Sequence, residues 1–428
     1  MAEERSAAGR LTPDRHVITG SAWLVASTAV VAGGSLLYWL VASHRLSDRA
    51  VGGGSTLFAS VFFLNFVTSL GLPTAVTRFG MSGSQGAAVT RWATMWTTVG
   101  SLAGAVPFAL LAPRTVVGPI GGRTLAAIEL FAVVTSVSIS VVVDARLVAL
   151  RRWSTVFWRT MVITGLRLAL VPLVPAGDNG HLLFLVSALP FGLTGLALLP
   201  TVLGGAAALT SRADIRRFAA VSWASQLAAQ APLFVTPIIV LFFARADLRG
   251  QFYIAWGLAS VVLVGVQVIG QALLAEGSKT EHDFSRHVLT AASAGLAASA
   301  LAAGAIAVAA RPISDLFGLT SPGLIARYLR RLVPGAVPWA VAVIALAASR
   351  VRADERRTLL VGGSYAVVTI AGTLIGGVLG RAPGAVTGWL YGGLISLLVT
   401  TPIVAEEVGN DRPPTRLSEL RRGGESRG

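Results

Sequence analysis

The chain has 428 residues, of which 54% are hydrophobic and only 13% are charged, and its mean hydropathy is +0.71. Because a soluble domain carries about 25% charged residues, most of this surface must face lipid. The net charge is +15, but the arginines are dispersed over the connectors between apolar segments, which favours contact with anionic lipid head groups over a nucleic-acid partner.

The composition argues against metal sites and thiol chemistry. The chain has no cysteine, which excludes disulfides, thiol catalysis and thiolate metal sites. None of its five histidines stands in a metalloenzyme motif. We therefore expect no metal, no cofactor and no enzymatic activity.

Twelve apolar runs of about 20 residues follow one another, and each is long enough to cross a bilayer as a helix. Residues 1–17 carry mixed charge and are not a cleavable signal, because the apolar run behind them has the length of a membrane span. A polar tail, 406–428, is expected to be cytoplasmic and disordered. The predicted spans are 18–43, 54–77, 92–111, 124–143, 155–174, 181–209, 218–244, 251–274, 288–310, 332–349, 358–380 and 383–405.

The second half of the chain repeats the first at a constant offset. Arg152 and Arg159 fall on Arg350 and Arg357, and further matches follow in step. The repeat predicts an all-α polytopic membrane protein with two six-helix bundles, 18–210 and 211–405, around a central cavity. Two similar bundles are typical of transporters that work by alternating access, in which one repeat rocks against the other.

The basic residues predict the orientation. With the N-terminus inside, the inner connectors and tails carry about twice as many arginines and lysines as the outer ones. We therefore expect both termini to be cytoplasmic. The connector 311–331 would then lie outside although it carries four arginines.

Charged residues inside the predicted spans are the first candidates for a site, since each costs roughly 2.5–3.5 kcal/mol to insert. Glu129 and Arg167 lie at similar depth near the outer ends of neighbouring spans, so we expect them to interact. They form either a structural ion pair or an anion site at Arg167, with Glu129 holding it or carrying a proton. Arg159, close in sequence to Asp144, allows a structural or a functional interpretation in the same way.

Further polar candidates lie on spans 2, 7 and 8. Arg78 ends span 2. Gln226 and Gln230 on span 7, and Gln267 and Gln271 on span 8, are spaced four residues apart and so share one helix face. Such faces either form hydrogen bonds between helices or line a cavity that meets sugar hydroxyls.

Three stretches carry a family resemblance. The segment 64–78 has an apolar run that ends in Gly-Leu-Pro-Thr-Ala-Val-Thr-Arg, 311–318 ends in Leu-Phe-Gly, and 384–393 is rich in small residues. Together with the span count and the repeat, they resemble polysaccharide flippases of the Wzx type within the multidrug/oligosaccharidyl-lipid/polysaccharide exporter (MOP) superfamily. The resemblance covers about 18–405. The segment 272–278 departs from it, because it lacks a proline common in that family.

The resemblance implies a flippase in the cell membrane. Its substrate would be an oligosaccharide linked through pyrophosphate to a polyprenyl lipid, and its partners would be membrane lipids and glycosyltransferases or a polymerase of the same pathway. Basic cavity residues would hold the phosphates, for which Arg78, Arg159 and Arg167 are the candidates. The glutamines of spans 7 and 8 would face them.

Other functions compete with this interpretation. An H⁺- or Na⁺-coupled drug or metabolite antiporter of the same fold needs a carboxylate in the first bundle. Span 1 has none, and Glu129 is the available one. A glycan polymerase or ligase would need a catalytic external domain, for which the connectors are too short. A major-facilitator carrier would need a charged motif between spans 2 and 3, which 79–91 lacks.

The topology can be tested with an engineered thiol, because the native chain has no cysteine. A Ser321→Cys variant places a thiol in the connector 311–331. We expect an impermeant maleimide to label it in intact cells. Labelling only after permeabilisation would contradict the predicted orientation.

Overall fold

The computed structural model describes residues 15–69, 71–80, 83–204, 212–277, 284–319, 321–352 and 354–409, and this part of the chain is helical without strands. Short turns at Arg114–Val117 and Gly118–Ile120 join the fourth and fifth helices. The helices are α1 (Arg15–Arg45), α2 (Asp48–Thr68), α3 (Leu72–Phe79), α4 (Gly83–Leu111), α5 (Arg123–Ala149), α6 (Trp153–Leu170), α7 (Gly180–Val202), α8 (Arg212–Phe243), α9 (Arg249–Gly277), α10 (Phe284–Leu316), α11 (Pro322–Leu332), α12 (Ala336–Val351) and α13 (Glu355–Val408).

Eleven stretches of the described helices are long and apolar enough to cross a membrane. The last, α13, has 54 residues and doubles back at Gly380 and Arg381, where the backbone leaves the helical conformation. Each arm is long enough for a separate passage, so the described helices make twelve passages and the predicted all-α membrane fold is confirmed. Helices suit this setting because lipid offers no partner for backbone N–H and C=O groups.

Successive passages alternate in direction, so the helix ends collect on two sides of the bundle. The α3 side contains the short helix α3 and the ends of α5, α7, α9 and α13. The α11 side contains α11 and the connectors that follow α1, α4, α6 and α8. In the predicted orientation, the α3 side is cytoplasmic.

The ends of the helices differ from the predicted spans by a few residues. Helix α1 begins at Arg15, and α13 continues to Val408. Glu407 is therefore part of the bundle: it is fully buried and forms ion pairs with Arg352 and Arg357. The predicted tails otherwise fall in 1–14 and 410–428, and the predicted boundary between the bundles falls in 205–211, all outside the described residues.

The two halves meet along α2. The start of α2 packs against the start of α9, and its end, with α3, packs against α8. Most other close packing joins helices of the same half, such as α5 with α7 and α8 with α13. Helix α2 therefore contacts the second half on both sides of the membrane.

The two arms of α13 approach each other through glycines. A Cβ atom on Gly388 would lie 1.9 Å from the carbonyl oxygen of Gly372, and one on Gly376 would lie 2.2 Å from that of Gly384. Small residues allow backbones to come this close in lipid, where packing drives helix association. The hairpin at the end of the chain thus depends on glycine at these positions.

A Gly388→Ala substitution should destabilise the protein by about 1–3 kcal/mol, since the added methyl group meets backbone that cannot move aside. A thermal unfolding curve in detergent measures the loss. Gly363→Ala on the same helix is the matched control, because its methyl group meets nothing within 4 Å. Equal melting temperatures for the two variants would contradict the close packing.

Candidate functional site

A buried arginine lies in the first half of the chain, beside the helix α2 that contacts the second half. Arg167 is near the α11-side end of α6, and only 2% of its surface is exposed. One of its terminal nitrogens donates a hydrogen bond to the hydroxyl of Ser35 on α1, at 3.1 Å. The local sequence gives α6 an apolar run long enough to carry this residue inside the membrane.

Aromatic rings from three helices surround the guanidinium. Its central carbon lies 4.6 Å from the ring centre of Tyr38 on α1, 5.2 Å from that of Phe58 on α2 and 5.5 Å from that of Phe191 on α7. Each such contact stabilises a cation, by about 0.5–2 kcal/mol depending on desolvation. We call Arg167 with these three rings the Arg167 cage.

The cage leaves part of the guanidinium unsatisfied. Among the described residues, neither Nε nor Nη2 of Arg167 has a hydrogen-bond acceptor, although both atoms are buried. In the described part of the chain, the guanidinium contacts one hydroxyl and three ring faces. A planar fork with two unused donors is suited to a phosphate or carboxylate group.

Residues of the second half pack against the cage and its neighbours. Tyr253 on α9 packs edge-on against Trp39, with ring centres 5.3 Å apart, and also against Phe58 at 6.4 Å. Further along α2, the ring of Phe66 stacks on that of Phe234 on α8 at 4.5 Å. The aromatic rings of α2 therefore form a seam between the halves.

Polar contacts join the halves on both sides of this seam. On the α11 side, the Gln251 amide donates to the Asp48 carboxylate at 3.2 Å. On the α3 side, the Trp223 indole donates to the carbonyl of Val67 at 3.0 Å, and Gln226 donates to Thr74. Hydrogen bonds thus join the halves on both sides of the cage.

Arg159 occupies a different environment from Arg167. It is buried between α5, α6 and α7, where it forms an ion pair with Asp144, donates to the Ser140 hydroxyl and reaches the carbonyl of Phe191 at 3.3 Å. The charge of Arg159 is thus paired with a carboxylate. The arrangement therefore corresponds to the structural interpretation of the Arg159–Asp144 pair.

Arg78 is exposed at the end of α3, where its guanidinium lies 4.5 Å from the ring centre of Phe218 on α8. Arg159 and Arg167 both contact Phe191, the first through its carbonyl and the second through its ring, but the described contacts of Arg78 are with Phe79 and Phe218. The structure therefore does not bring these three arginines together in one site. Helical geometry explains part of this, since Arg159 and Arg167 are separated by about 12 Å of rise along α6.

The expected contact between Glu129 and Arg167 is wrong. The Glu129 carboxylate on α5 accepts from the His181 ring at the start of α7, at 2.7 and 2.8 Å. Arg167 instead turns towards α1 and α2. Equal depth on neighbouring helices did not determine the partner, because the two side chains leave their helices on different faces.

The glutamines on spans 7 and 8 separate into different environments. Gln226 contacts Thr74 across the halves, while Gln230 and Gln267 are half-buried. The side chain of Gln271 lies outside the described residues. Within the described residues, no group of His, Asp and Glu side chains is placed to hold a metal ion.

Sequence reasoning missed the aromatic part of the site. Tyr38, Phe58, Phe191 and Tyr253 are indistinguishable by type from ordinary lipid-facing or core residues. One signal was available: Phe58, Phe62 and Phe66 recur every four residues and so form one stripe along α2. Two rings of that stripe, Phe58 and Phe66, contact the second half.

Comparison with solved structures identifies the fold. The chain superimposes on a lipid II flippase, MurJ, in an inward closed conformation with a TM-score of 0.71 at 12% identity, covering 92% of this chain and 88% of that one. It also matches the inward-facing conformation of a multidrug resistance MATE family transporter of the MOP superfamily, with a TM-score of 0.69, 14% identity and coverage of 90% and 98%.

The outward-facing conformation of a multidrug resistance MATE family transporter of the MOP superfamily matches less closely, with a TM-score of 0.60 at 15% identity over 92% of this chain and 95% of that one. No family model matches the sequence, and no curated protein is significantly similar to it. The chain therefore has the fold of MOP-superfamily transporters. The solved proteins named above are transporters and a flippase rather than enzymes.

A double-mutant cycle distinguishes the two possible partners of Glu129. Glu129→Gln and His181→Gln should show coupled losses of folded yield, because each substitution alone leaves the other group without its partner. Glu129→Gln and Arg167→Gln should be additive within about 0.5 kcal/mol, as for independent sites. Folded yield and unfolding in detergent are the measurements. Coupling to Arg167 and none to His181 would contradict the described contacts.

Proposed function

We propose that this protein is a transporter that flips a polyprenyl-pyrophosphate-linked oligosaccharide across the cell membrane by alternating access. The observation that carries the proposal is the Arg167 cage. It is a permanently charged, buried group beside α2, the helix that contacts the second half, with two donors unused among the described residues. An anionic head group would supply the acceptors.

The substrate class follows from the chemistry of the cage. Pyrophosphate carries several negative charges, and a guanidinium binds phosphate oxygens through parallel hydrogen bonds. A cationic drug would be repelled by Arg167, whose contacts among the described residues are a hydroxyl and three rings rather than a carboxylate. The rings beside it can stack on sugars, and the polyprenyl chain can stay in lipid at a gap between the halves.

The mechanism follows from the contacts around the seam. The Asp48–Gln251 contact closes the α11 side, and the Gln226–Thr74 and Trp223–Val67 contacts close the α3 side. Opening one set while keeping the other would expose the cage to one face of the membrane at a time. In the proposed orientation, with cytoplasmic termini, substrate enters from the α3 side, where glycosyltransferases of the same pathway deliver it.

An ion-coupled antiporter is the second candidate function. The half-buried Glu129–His181 pair supports it, because a carboxylate and an imidazole in contact can exchange a proton. The pair lies in the first bundle, where an antiporter needs such a group. It lies apart from the Arg167 cage, however, and its contacts do not reach the second half.

The role of Arg167 can be tested by reconstituted flipping. In vesicles that contain a fluorescent polyprenyl-pyrophosphate sugar, membrane-impermeant dithionite measures the fraction of label on the outer leaflet. Arg167→Gln should lower the flipping rate by about tenfold or more, since a charge-assisted hydrogen bond contributes about 1.5–3 kcal/mol. Arg167→Lys should restore part of the flipping rate, because lysine keeps the positive charge but cannot donate two parallel hydrogen bonds from one planar group.

Arg356→Gln is the control, because Arg356 is an exposed arginine away from the cage. Its flipping rate should equal that of the native protein. Full flipping by a well-folded Arg167→Gln variant would contradict the proposal. Proton-driven efflux of a cationic dye that needs Glu129, in a protein that does not flip the lipid, would support the antiporter.

A further inference from the structure

A cavity of about 380 Å³ lies on the α3 side of the bundle, apart from the Arg167 cage. Its volume lies within the range of pockets that bind small ligands, which begins near 300 Å³. Helices α3, α4 and α8 form it, so both halves contribute to its walls. The lining residues are Leu72, Trp92, Trp96, Arg216, Ala219, Ala220 and Trp223.

The cavity is apolar inside and positively charged at its edge. Three tryptophans and Leu72 supply most of the wall, and Arg216 is the charged residue among the lining side chains. Arg217, beside Arg216 on α8, is exposed. Arg78 at the end of α3 is also exposed, and its guanidinium stacks on the ring of Phe218 on α8. Asp214 is the one acidic residue on this first part of α8, so cations predominate.

The depth of the cavity is that of the membrane interface. Arg91, one residue before Trp92, donates a hydrogen bond to the carbonyl of Leu203, where α7 has just ended. Trp92 and Trp96 therefore lie close to the level at which α7 ends on the α3 side. Tryptophan is enriched at this depth and arginine favours the head-group layer above it.

Exposed apolar side chains neighbour the lining residues in sequence. Met95 and Val99, next to Trp96 on α4, are exposed, and so is Val221 on α8. In a helix bundle within a membrane, such apolar side chains contact acyl chains. A lipid can therefore reach the cavity sideways from the bilayer, without passing through the centre of the protein.

Two of the tryptophans, Trp92 and Trp96, each have a buried indole N–H group without an acceptor among the described residues. Buried donors are usually paired with protein or water. An ester oxygen or a water molecule brought in with a bound lipid would supply the acceptor.

We propose that this cavity is a binding site for an anionic phospholipid of the leaflet on the α3 side. One acyl chain fills the space between Trp92, Trp96 and Trp223, and the phosphate lies against Arg216 and Arg217. Because the cavity includes both α3 of the first half and α8 of the second, the bound lipid stabilises the conformation in which these helices are in contact. The proposal does not depend on the identity of the transported substrate.

Tryptophan fluorescence can test the site, since bromine atoms on an acyl chain quench an indole that they touch. The full-length protein is reconstituted in phosphatidylcholine vesicles with increasing fractions of brominated phosphatidylglycerol. We expect quenching to saturate at low fractions in the native protein, and a Trp92→Phe/Trp96→Phe variant to lose that component. Arg216→Gln/Arg217→Gln should need a higher fraction for half-quenching, by about fivefold for each arginine.

Two further variants separate the cavity from the general surface. Ala220→Phe fills the cavity and should abolish the saturable component, while Val308→Phe, on an exposed face of α10, should leave it unchanged. Size-exclusion profiles establish that the variants are folded. Where Ala220→Phe does not fold, the arginine pair decides the question.

Three results would overturn the proposal. They are equal half-quenching by brominated phosphatidylcholine, no change in the arginine double variant, and full displacement of brominated phosphatidylglycerol by an equal fraction of unlabelled polyprenyl phosphate. The last result would make the cavity a substrate site. Loss of flipping in Arg167 variants would not affect any of these outcomes.

Discussion

The burial of one guanidinium charge is the constraint on which the rest of the structure depends. Arginine keeps its charge in proteins, so Arg167 brings a permanent cation into the interior of a membrane bundle. Inserting such a charge costs roughly 2.5–3.5 kcal/mol on translocon scales. Three aromatic faces and one hydroxyl offset much of this cost, but they do not use all of the donors.

This arrangement links the charge to the contact between the halves. The ring of Phe58 touches both Arg167 and Tyr253, so the same side chain belongs to the cage and to the seam with the second half. Helix α2 then continues to the stacked pair Phe66–Phe234 and to the contacts of α3 with α8. An anion that draws Arg167 out of its rings would therefore also disturb the packing of α2 against α8 and α9. This is the physical link that an alternating-access mechanism requires.

The fold could be predicted from the sequence because lipid imposes simple rules. Apolar runs of span length must be helices, and the match of Arg152 and Arg159 with Arg350 and Arg357 predicts a repeat. The structure confirmed the twelve passages. It also showed what the pattern could not: Glu407 belongs to the bundle, because its burial depends on the arginines at 352 and 357 on another part of the chain.

The site was predicted less well, for a different physical reason. Charges within spans are rare, so Arg159, Arg167 and Glu129 could be recognised as important. Their partners depend on which way each helix faces, and that is determined by packing of the whole bundle. Depth alone therefore suggested Glu129 for Arg167, whereas the structure has His181 beside Glu129 and aromatic rings beside Arg167. Aromatic residues are ordinary in an apolar sequence, so their type alone did not mark them as part of the site, although their rings contact the cation.

The most direct measurement is a structure of the full-length protein with a polyprenyl-pyrophosphate-linked sugar, determined by electron cryomicroscopy in a lipid nanodisc. We predict density for the pyrophosphate at hydrogen-bond distance, about 3 Å, from Nε and Nη2 of Arg167. The rings of Tyr38 and Phe58 should move away from the guanidinium, and the contacts on one side of the seam should be open. A head group bound elsewhere, with Arg167 still enclosed by its three rings, would contradict a role for this arginine in substrate binding.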